Sequence, residues 1–349
     1  MGMAGVALSL FPWLESCSDK AKQEVQGEKA QIGIIGTGSR GLFHIKHLVQ
    51  MPNVEVVALC DNYRPHLEDA AQYYPKAKQY DDYRRLLENK DVKGVIIATP
   101  LYLHAPMTIA ALEAGKRVFC EKSMAYTMDE ALEVYNRRKE LGGVLFIGQQ
   151  RLFDPKYVKA MQMIHEGVIG KVVGVRNYWY RNNNWRREVP SPELERHINW
   201  RLYSEYSRGL MTELACHQLQ NGSWAMGQLP KQVMGAGSLI HWDKEDERDV
   251  YDNVSAIFTY PNGVNMTFES IISNKHFGMG EQILGTEGTI DLVTCMHYTD
   301  EPAPKGSGMH QLVAQIESGV MSNSVFAGTS WAAETSALAP GMPIMKDVT

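Results

Sequence analysis

The sequence predicts an α/β protein of two domains, the first built on a parallel sheet and the second on an open, mostly antiparallel sheet. The length of 349 residues suffices for two ordinary domains. Up to about residue 150, short β-branched runs alternate with helical stretches, which is the pattern of parallel βαβ units. Beyond it, strands with alternating or aromatic character and hairpin signals such as Pro261-Asn262-Gly263 indicate antiparallel pairing.

The N-terminal domain is predicted over residues 30–150. It starts with the strand "QIGIIG", the helix "RGLFHIKHLVQM" and the strand "VEVVALCD", and the alternation continues through "KGVIIATP" and "RVFCEK" to "VLFIGQQ". Apolar residues in these strands are continuous, which indicates a sheet covered by helices on both faces.

The C-terminal domain is predicted over residues 151–349. It has a long helix in "DPKYVKAMQMIHEG" and another in "GLMTELACHQLQNGSWAMG". The predicted strands are "VVGVRNYWYR", "KQVMGAGSLIHW", "NVSAIFTYP" and "NGVNMTFESII". A tail rich in small residues, 320–343, is assigned to this domain only by position.

Charge and cysteine content exclude two classes of partner. A formal net charge of −5 and the absence of a Lys/Arg block argue against nucleic-acid binding. Five cysteines lie far apart, with no C-x-x-C pair of the kind that holds zinc. Glu213, His217 and His241 do not make a clear ligand set, and we expect no metal.

Residues 1–29 form a separate segment. Its apolar run ends near Cys17 and is followed by a polar linker, which is typical of a lipoprotein export signal. The basic part of such a signal is absent and Glu15 is unusual there, so Met1 could lie inside a longer signal. We expect a periplasmic or lipid-anchored envelope protein, with membrane contact only through that anchor. The alternative is a cytoplasmic protein with an apolar N-terminal helix.

The stretch "IIGTGSRGL" matches a dinucleotide fingerprint. Gly36, Gly38 and Gly41 follow a predicted strand and open a predicted helix, the context in which such glycines cradle a pyrophosphate. Asp61 ends the second strand, 20 residues after Gly41, where a carboxylate binds the ribose hydroxyls of NAD and repels the 2′-phosphate of NADP. A Rossmann domain binding NAD, with NADP less favoured, is therefore predicted, although Arg64 could soften that preference.

An ordered set of motifs resembles the Gfo/Idh/MocA oxidoreductases, relatives of glucose-fructose oxidoreductase and inositol dehydrogenase. The likeness runs from about residue 30 to 295 and includes "ATPLYLH", "EK" at 121–122, "GQQRLFDP" and "GLMTELACHQ". It implies an open sheet for substrate binding and oligomer contacts, as a dimer or tetramer, and nicotinamide-dependent oxidation of a sugar or cyclitol hydroxyl. The expected cofactor residues are Gly36, Thr37, Gly38, Ser39, Arg40, Gly41, Asp61, Thr99, Pro100, His104, Glu121 and Lys122.

The resemblance also implies catalytic roles. Lys122 matches the lysine that hydrogen-bonds the reacting hydroxyl, and His217 matches the histidine that takes its proton. Glu213 stands where the family commonly has Asp and, four residues before His217, could orient its ring or contact the sugar. Ser123 replaces a usual proline and Leu152 a usual arginine. With the export-like start, these motifs are most similar to the secreted Bacteroidetes branch.

The stretch "YWYRNNNWRREVPSPELERHINWRLY" concentrates Trp, Tyr, Arg and Asn. Such residues stack on sugar rings and bind their hydroxyls, but they are also enriched at dimer interfaces, and both interpretations stay open. The residues predicted to contact substrate are Arg151, Tyr180, Asn183, His197, Trp200 and Arg201.

Three functions follow as hypotheses. The first is an NAD-dependent oxidoreductase acting on a secondary hydroxyl of a sugar, glycoside or cyclitol, with ring C3 as one candidate. The second is an NAD-dependent glycosidase that oxidises its substrate transiently, eliminates the aglycone and reduces the product again. The third is a non-catalytic sugar-binding protein that has kept the fold.

Overall fold

The computed structural model describes residues 28–244, 247–299 and 341–345. Residues 1–27 of the predicted signal-like segment 1–29, and most of the tail, lie outside the described residues. Among the helices of the described part, none is long and apolar enough to cross a membrane.

The first domain is a six-stranded, all-parallel sheet with the strand order β3-β2-β1-β4-β5-β6. Its strands are β1 Ala30–Ile35, β2 Val54–Cys60, β3 Lys78–Tyr80, β4 Gly94–Ile97, β5 Arg117–Cys120 and β6 Leu145–Ile147. Its helices are α1 Ser39–Leu48, α2 Arg64–Ala71, α3 Tyr83–Leu87, α4 His104–Glu113 and α5 Met128–Leu141.

Two apolar clusters cover this sheet. One joins Ile35 and Ile97 to residues such as Met107 of α4, and the other joins Ile34 to Ile45 and Leu67 of α1 and α2. Strand order reverses between β1 and β4, so a crevice opens at the carboxyl ends of these two strands.

The second domain is an eight-stranded sheet with the order β14-β13-β12-β11-β7-β10-β9-β8. Only β7 and β10 pair in parallel within the described sheet; the other pairs are antiparallel. Its strands are β7 Val172–Asn182, β8 Gln232–Ser238, β9 Asn253–Thr259, β10 Asn265–Ile271, β11 Ser273–Gly285, β12 Gly288–Asp291, β13 Met296–Thr299 and β14 Met342–Pro343. Its helices are α6 Pro155–His165, α7 Glu195–Ile198 and α8 Cys216–Met226, with a π-helical turn at Met211–Ala215 before α8.

Helices α6 and α8 contribute to a core on one face of this sheet. Met161 and Ala225 from the helices join Val175, Met266 and Ile283 from the strands. Side chains alternate along β7, so the neighbours of Val175 in the chain face the opposite surface.

The predicted fold class is confirmed, because both sheets have the expected pairing. Strands β11 to β13 were not anticipated. The long β11 contains "SNKHFGMG", whose glycine and polar residues interrupt apolar alternation, and its register with β7 shifts there.

Candidate active site

A cavity of about 440 Å³ lies between the two domains, over the crevice at the carboxyl ends of β1 and β4. This volume is within the usual range for ligand sites. The predicted residues that line it are Gly36, Gly38, Ser39, Arg40, Asp61, Thr99, Pro100, His104, Glu121, Lys122, His197, Trp200, Arg201 and Glu213.

The glycine loop is shaped by close backbone contacts. Gly36 has a φ of +86°, and a Cβ there would lie 2.8 Å from the Ala98 backbone. A Cβ at Gly41 would collide with the carbonyl oxygen of Gly36. Gly38 caps α1, with no side chain bonded to the N-terminal N–H groups of that helix, which leaves them available to an anion.

Asp61 is held by the same loop. Its carboxylate accepts hydrogen bonds from the Thr37 N–H at 2.7 Å and the Tyr63 N–H at 2.8 Å. Burial alone would raise the pKa of Asp61, but bonds from His66 and from these two N–H groups outweigh burial and lower it. Asp61 is therefore ionised at neutral pH, as ribose recognition requires. Arg64 bonds Glu68 at 2.8 Å and does not line the cavity.

The features of this crevice fit the adenosine diphosphate part of NAD. The cavity offers a cradle of small residues, free helix N–H groups and an ionised carboxylate. The buried hydroxyl of Thr99 has no hydrogen-bond partner among the described residues, so it is available to a ligand. Two predicted cofactor residues, Thr37 and Gly41, do not line the cavity; they shape its wall instead.

Lys122 joins the first domain to the second inside the cavity. Its ammonium donates to the Glu213 carbonyl oxygen at 2.9 Å and lies 3.8 Å from the carboxylate of the same residue. Arg201 donates to that carboxylate at 2.8 Å. Burial would raise the pKa of Glu213, but the charges of Arg201 and Lys122 outweigh it and lower it.

Glu121 faces the glycine loop. His44 contacts its carboxylate at 2.8 Å and Arg40 at 3.6 Å. Burial would raise the pKa of Glu121, but these two neighbours and the Lys122 N–H lower it. Arg40 therefore approaches Glu121 and is partly neutralised there.

His104 supports the wall of the cavity. Nδ1 lies 2.6 Å from the Ser123 carbonyl oxygen and Nε2 lies 3.0 Å from that of Thr99. Two acceptors are satisfied together only by an imidazolium. Burial lowers the pKa of His104, but Cys120 and the two carbonyls outweigh it and raise it to about 9. His104 was predicted to bind cofactor; its ring nitrogens are instead engaged with the backbone.

His217 lies in the first turn of α8, is 5% exposed and is not among the residues that line the cavity. Burial, followed by the charges of Arg151 and Lys122, lowers its pKa to about 3, so the imidazole is neutral at physiological pH. Its Nδ1 has no hydrogen-bond partner among the described residues, and Trp179 lies 6.2 Å away between ring centroids. The expectation that Glu213 orients this ring is not met, because two cations occupy that carboxylate.

Family models match both halves of the chain. A model described as "Oxidoreductase family, NAD-binding Rossmann fold" matches residues 30–149, and the C-terminal domain model of the same family matches residues 157–291. The chain belongs to the GFO/IDH/MocA oxidoreductase family. The predicted family, the NAD cofactor and the oxidoreductase class are thereby confirmed.

Relatives within and around this family agree with that assignment. An inositol 2-dehydrogenase of Salmonella paratyphi B is 37% identical over 281 residues, 79% of this chain and 77% of that protein. A glycosyl hydrolase family 109 protein of Stenotrophomonas maltophilia is 37% identical over 159 residues, 42% of this chain and 35% of that protein. The crystal structure of an oxidoreductase domain protein from Kribbella flavida shares the fold, with a TM-score of 0.69 and 24% identity over 81% of this chain and 79% of that one.

In this GFO/IDH/MocA member, three of the six residues predicted to contact substrate do not line the cavity. Arg151 is 8% exposed and pairs with the fully buried Glu281. Asn183 is used in a turn, where its side chain accepts the Trp185 N–H at 2.7 Å. Tyr180 donates to Glu269 at 2.8 Å on the outer face of the second sheet.

Strand alternation explains why Tyr180 lies outside the cavity. Its neighbour Trp179 lies on the opposite face, near His217 and 5.7 Å from the Arg151 guanidinium. Because successive residues of a strand face opposite sides, a shift of one position exchanges the two aromatic rings. Val175 is apolar and is expected in the core, and Trp179, four positions later on the same strand, faces the same side. This pattern would have identified Trp179 as the inward residue.

The aromatic and arginine-rich segment, residues 183–203, covers the cavity. His197, Trp200 and Arg201 line it, as does Arg187, which was not among the predicted site residues. His197 lies 6.1 Å from Tyr63 between ring centroids, and the Tyr63 N–H donates to Asp61, the carboxylate predicted to bind the ribose. Among the described residues, no group of three or more His, Cys, Asp and Glu side chains could hold a metal.

Proposed function

We propose that the protein catalyses NAD-dependent oxidation or reduction of a secondary hydroxyl of a sugar, glycoside or cyclitol. Ring C3 is the first position to test. The observation that carries this proposal is the ammonium of Lys122, which enters the cavity fixed between the backbone and carboxylate of Glu213. The 37% identity to an inositol 2-dehydrogenase supports a polyhydroxylated ring as substrate.

When bound, NAD supplies the hydride acceptor. The side chains of this protein must then hold the hydroxyl and remove its proton. Lys122 is a fixed cation that can donate to the oxygen and stabilise developing negative charge. Its position is set before substrate arrives, because the Glu213 carbonyl oxygen accepts one of its N–H groups.

His217 is the proposed proton acceptor. An imidazole with a pKa of about 3 is unprotonated at neutral pH and can receive a proton, although its low pKa makes it a weak base. An alkoxide-stabilising Lys122 offsets that weakness by making the hydroxyl more acidic. Trp179 lies 6.2 Å from the ring of His217 between centroids and is not among the residues that line the cavity.

The test is incubation with NAD and a panel of inositols, sugars and glycosides, with products identified by mass spectrometry. Simple oxidation gives NADH absorbance and a product lighter by two hydrogens. Lys122→Met is expected to lower kcat by about 100-fold or more, whereas the matched control Lys156→Met should retain wild-type activity. If NAD and a sugar of the panel both bind and no panel member reacts, the result favours the non-catalytic sugar-binding hypothesis.

A second candidate is an NAD-dependent glycosidase. The specific observation in its favour is 37% identity, over 159 residues, to a glycosyl hydrolase family 109 protein. Transient oxidation at one carbon acidifies the neighbouring C–H, and loss of that proton eliminates the aglycone to leave an unsaturated ketone. Water then adds to the double bond, and reduction of the ketone by the hydride first removed completes the cycle. This candidate predicts released monosaccharide with no net NADH, and solvent deuterium in the product at the deprotonated carbon. A dehydrogenase gives neither result.

We also propose that the chain forms a homo-oligomer through the outer face of the second sheet. Phe277 of β11 is 65% exposed and Met234 of β8 is 69% exposed. Tyr178 and Tyr180 of β7 form an aromatic group with Phe277. Such an apolar and aromatic surface suits contact with a second copy. Light scattering of the wild type and of Phe277→Asp tests this, since the variant should shift towards monomer. A wild-type monomer would refute it.

Location in the cell envelope, as in a secreted branch of the family, is likewise proposed. It rests on the apolar run before Cys17. Radiolabelled palmitate should enter the wild-type protein and not Cys17→Ser. Full recovery of unlabelled wild type in the cytoplasm would favour the alternative location.

A further inference from the structure

Arg187 reaches from the second domain to the glycine loop of the first. Its Nη2 donates to the Ser39 hydroxyl at 3.0 Å, and Ser39 is the first residue of α1. The backbone of Arg187 is fixed by the buried Asn199, which accepts its N–H at 2.8 Å and donates to its carbonyl oxygen at 2.9 Å. The guanidinium is therefore held across the N-terminus of α1 by a rigid segment.

The surroundings of this guanidinium carry positive charge. The first turn of α1 has no acidic residue and no side-chain cap, so the positive end of the helix is not compensated by a residue of the helix itself. Burial and the nearby charge of Arg201 lower the pKa of Arg187. Two positive features placed side by side repel each other unless an anion lies between them.

The other arginines that line the cavity are neutralised within the described residues. Each has a carboxylate partner: Arg40 with Glu121 at 3.6 Å, Arg84 with Asp82 at 3.4 Å, and Arg201 with Glu213 at 2.8 Å. Arg187 lines the same cavity and has no carboxylate within ion-pair distance in the described part of the chain. Its charge is thus free to be matched by a ligand.

We propose that Arg187 binds the pyrophosphate of NAD from the second domain, so that the residues of segment 183–203 that line the cavity are part of the cofactor site. A guanidinium donates two parallel N–H bonds to phosphate oxygens, which complements the N–H groups of α1 on the other side. The contact of His197 with Tyr63 extends the same segment towards the ribose-binding Asp61. The cofactor is then enclosed between the domains instead of lying on the first alone. This inference deepens the proposed function and requires that the site binds NAD.

Calorimetry with NAD, and NMR titration with adenosine, test the assignment on the unmodified chain and on variants. Arg187→Met should weaken NAD binding by about 10- to 100-fold, which is the usual loss for a charge-assisted hydrogen bond. Adenosine has no phosphate, and its affinity should be unchanged. Arg187→Lys keeps the charge and should recover part of the affinity. The matched control is Arg196→Met, on the same segment but paired with Glu205 at 3.2 Å, which should bind NAD as the wild type does.

Two results would overturn the proposal. One is an Arg187→Met protein that binds NAD with a loss smaller than about twofold. The other is an equal loss of affinity for NAD and for adenosine, which would mean that the substitution changes the fold. If the methionine variant does not fold, the same comparison is made with Arg187→Lys. The affinity of that variant must fall for NAD and not for adenosine. If the wild type itself binds no NAD, the proposed function fails together with this inference, and that result differs from loss in the variant only.

Discussion

In two arginine–glutamate pairs of the second domain, the pKa of the glutamate is shifted in opposite directions. Glu213 pairs with Arg201 in the cavity, and Glu281 pairs with Arg151 in the core. The pKa of Glu213 is lowered, whereas burial dominates at Glu281 and raises its pKa despite Arg151. Glu213 has further cations near it, Lys122 and His104, whereas Glu281 has a second carboxylate, Asp291, near it. A buried carboxylate therefore stays strongly ionised here where two cations face it.

The largest effect is expected from breaking the core pair. Arg151→Met leaves Glu281 buried with no cation, and such a change costs about 3–5 kcal/mol of unfolding free energy. The loss should be smaller at acid pH, because Glu281 can then be protonated and its charge removed. Urea unfolding at neutral and acid pH checks both statements. An equal loss of unfolding free energy at neutral and acid pH would contradict the conclusion that Arg151→Met leaves Glu281 as a buried carboxylate without a cation.

His104 extends the comparison to a buried cation whose ring nitrogens contact two carbonyl oxygens and no carboxylate. Its folded-state pKa of about 9 lies above the unfolded value of 6.5, so its stabilisation is complete below pH 6.5 and lost as pH rises through 9. Relative to His104→Gln, the wild type should lose about 3 kcal/mol of unfolding free energy over that interval. Chemical denaturation at several pH values measures this. Parallel curves for the two proteins would show that the imidazole is neutral in the fold.

The cavity pair should show a smaller effect, which also diminishes in acid. Glu213→Gln removes the anion shared by Arg201 and Lys122 and should cost about 1–3 kcal/mol at neutral pH. The folded pKa of Glu213 is lowered, so its stabilisation is present above the unfolded value of 4.5 and lost as pH falls through the folded value. The difference between variant and wild type should therefore shrink in acid, as followed by the urea midpoint.

The smallest effect is expected at an exposed pair. Arg196 and Glu205 are 53% and 61% exposed, and surface pairs of this kind contribute about 0–1 kcal/mol. Arg196→Met should change the thermal midpoint little and should become indistinguishable from wild type in high salt. A loss as large as that of Arg151→Met would mean that exposure does not decide the strength of these pairs.

The first domain and its cofactor loop could be predicted because the signals are local. A strand, three glycines and Asp61 lie within about thirty residues, and the backbone around them needs no distant partner to be recognised. The short strand "KQY" was predicted at the residues where it lies, since helical patterns flank it. The whole predicted cofactor set is close to the cavity, although Thr37 and Gly41 act behind its surface.

The substrate side was harder to predict because its residues depend on distant partners. Nothing near Arg151 in the sequence reveals Glu281, 130 residues later, which removes that arginine from the cavity. Arg187 was not predicted as a site residue because its neighbours in "NNNWRRE" are equally polar. Its hydrogen bond to Ser39, which is far away in the sequence, distinguishes it from them. Tyr180 and Trp179 differ by one step in strand register, which composition does not resolve.

The loop that carries Lys122 has a consequence for modular engineering. Three bonds run from it into the second domain: Lys122 to the Glu213 carbonyl, Ser123 to the Thr212 carbonyl and Tyr126 to the Ser204 carbonyl. All three acceptors are backbone atoms, whose positions depend on the path of the recipient chain and not on its side chains. A chimera that exchanges one domain for that of a relative must therefore reproduce this backbone path to within hydrogen-bond distance, or it will combine two folded halves with a misplaced lysine.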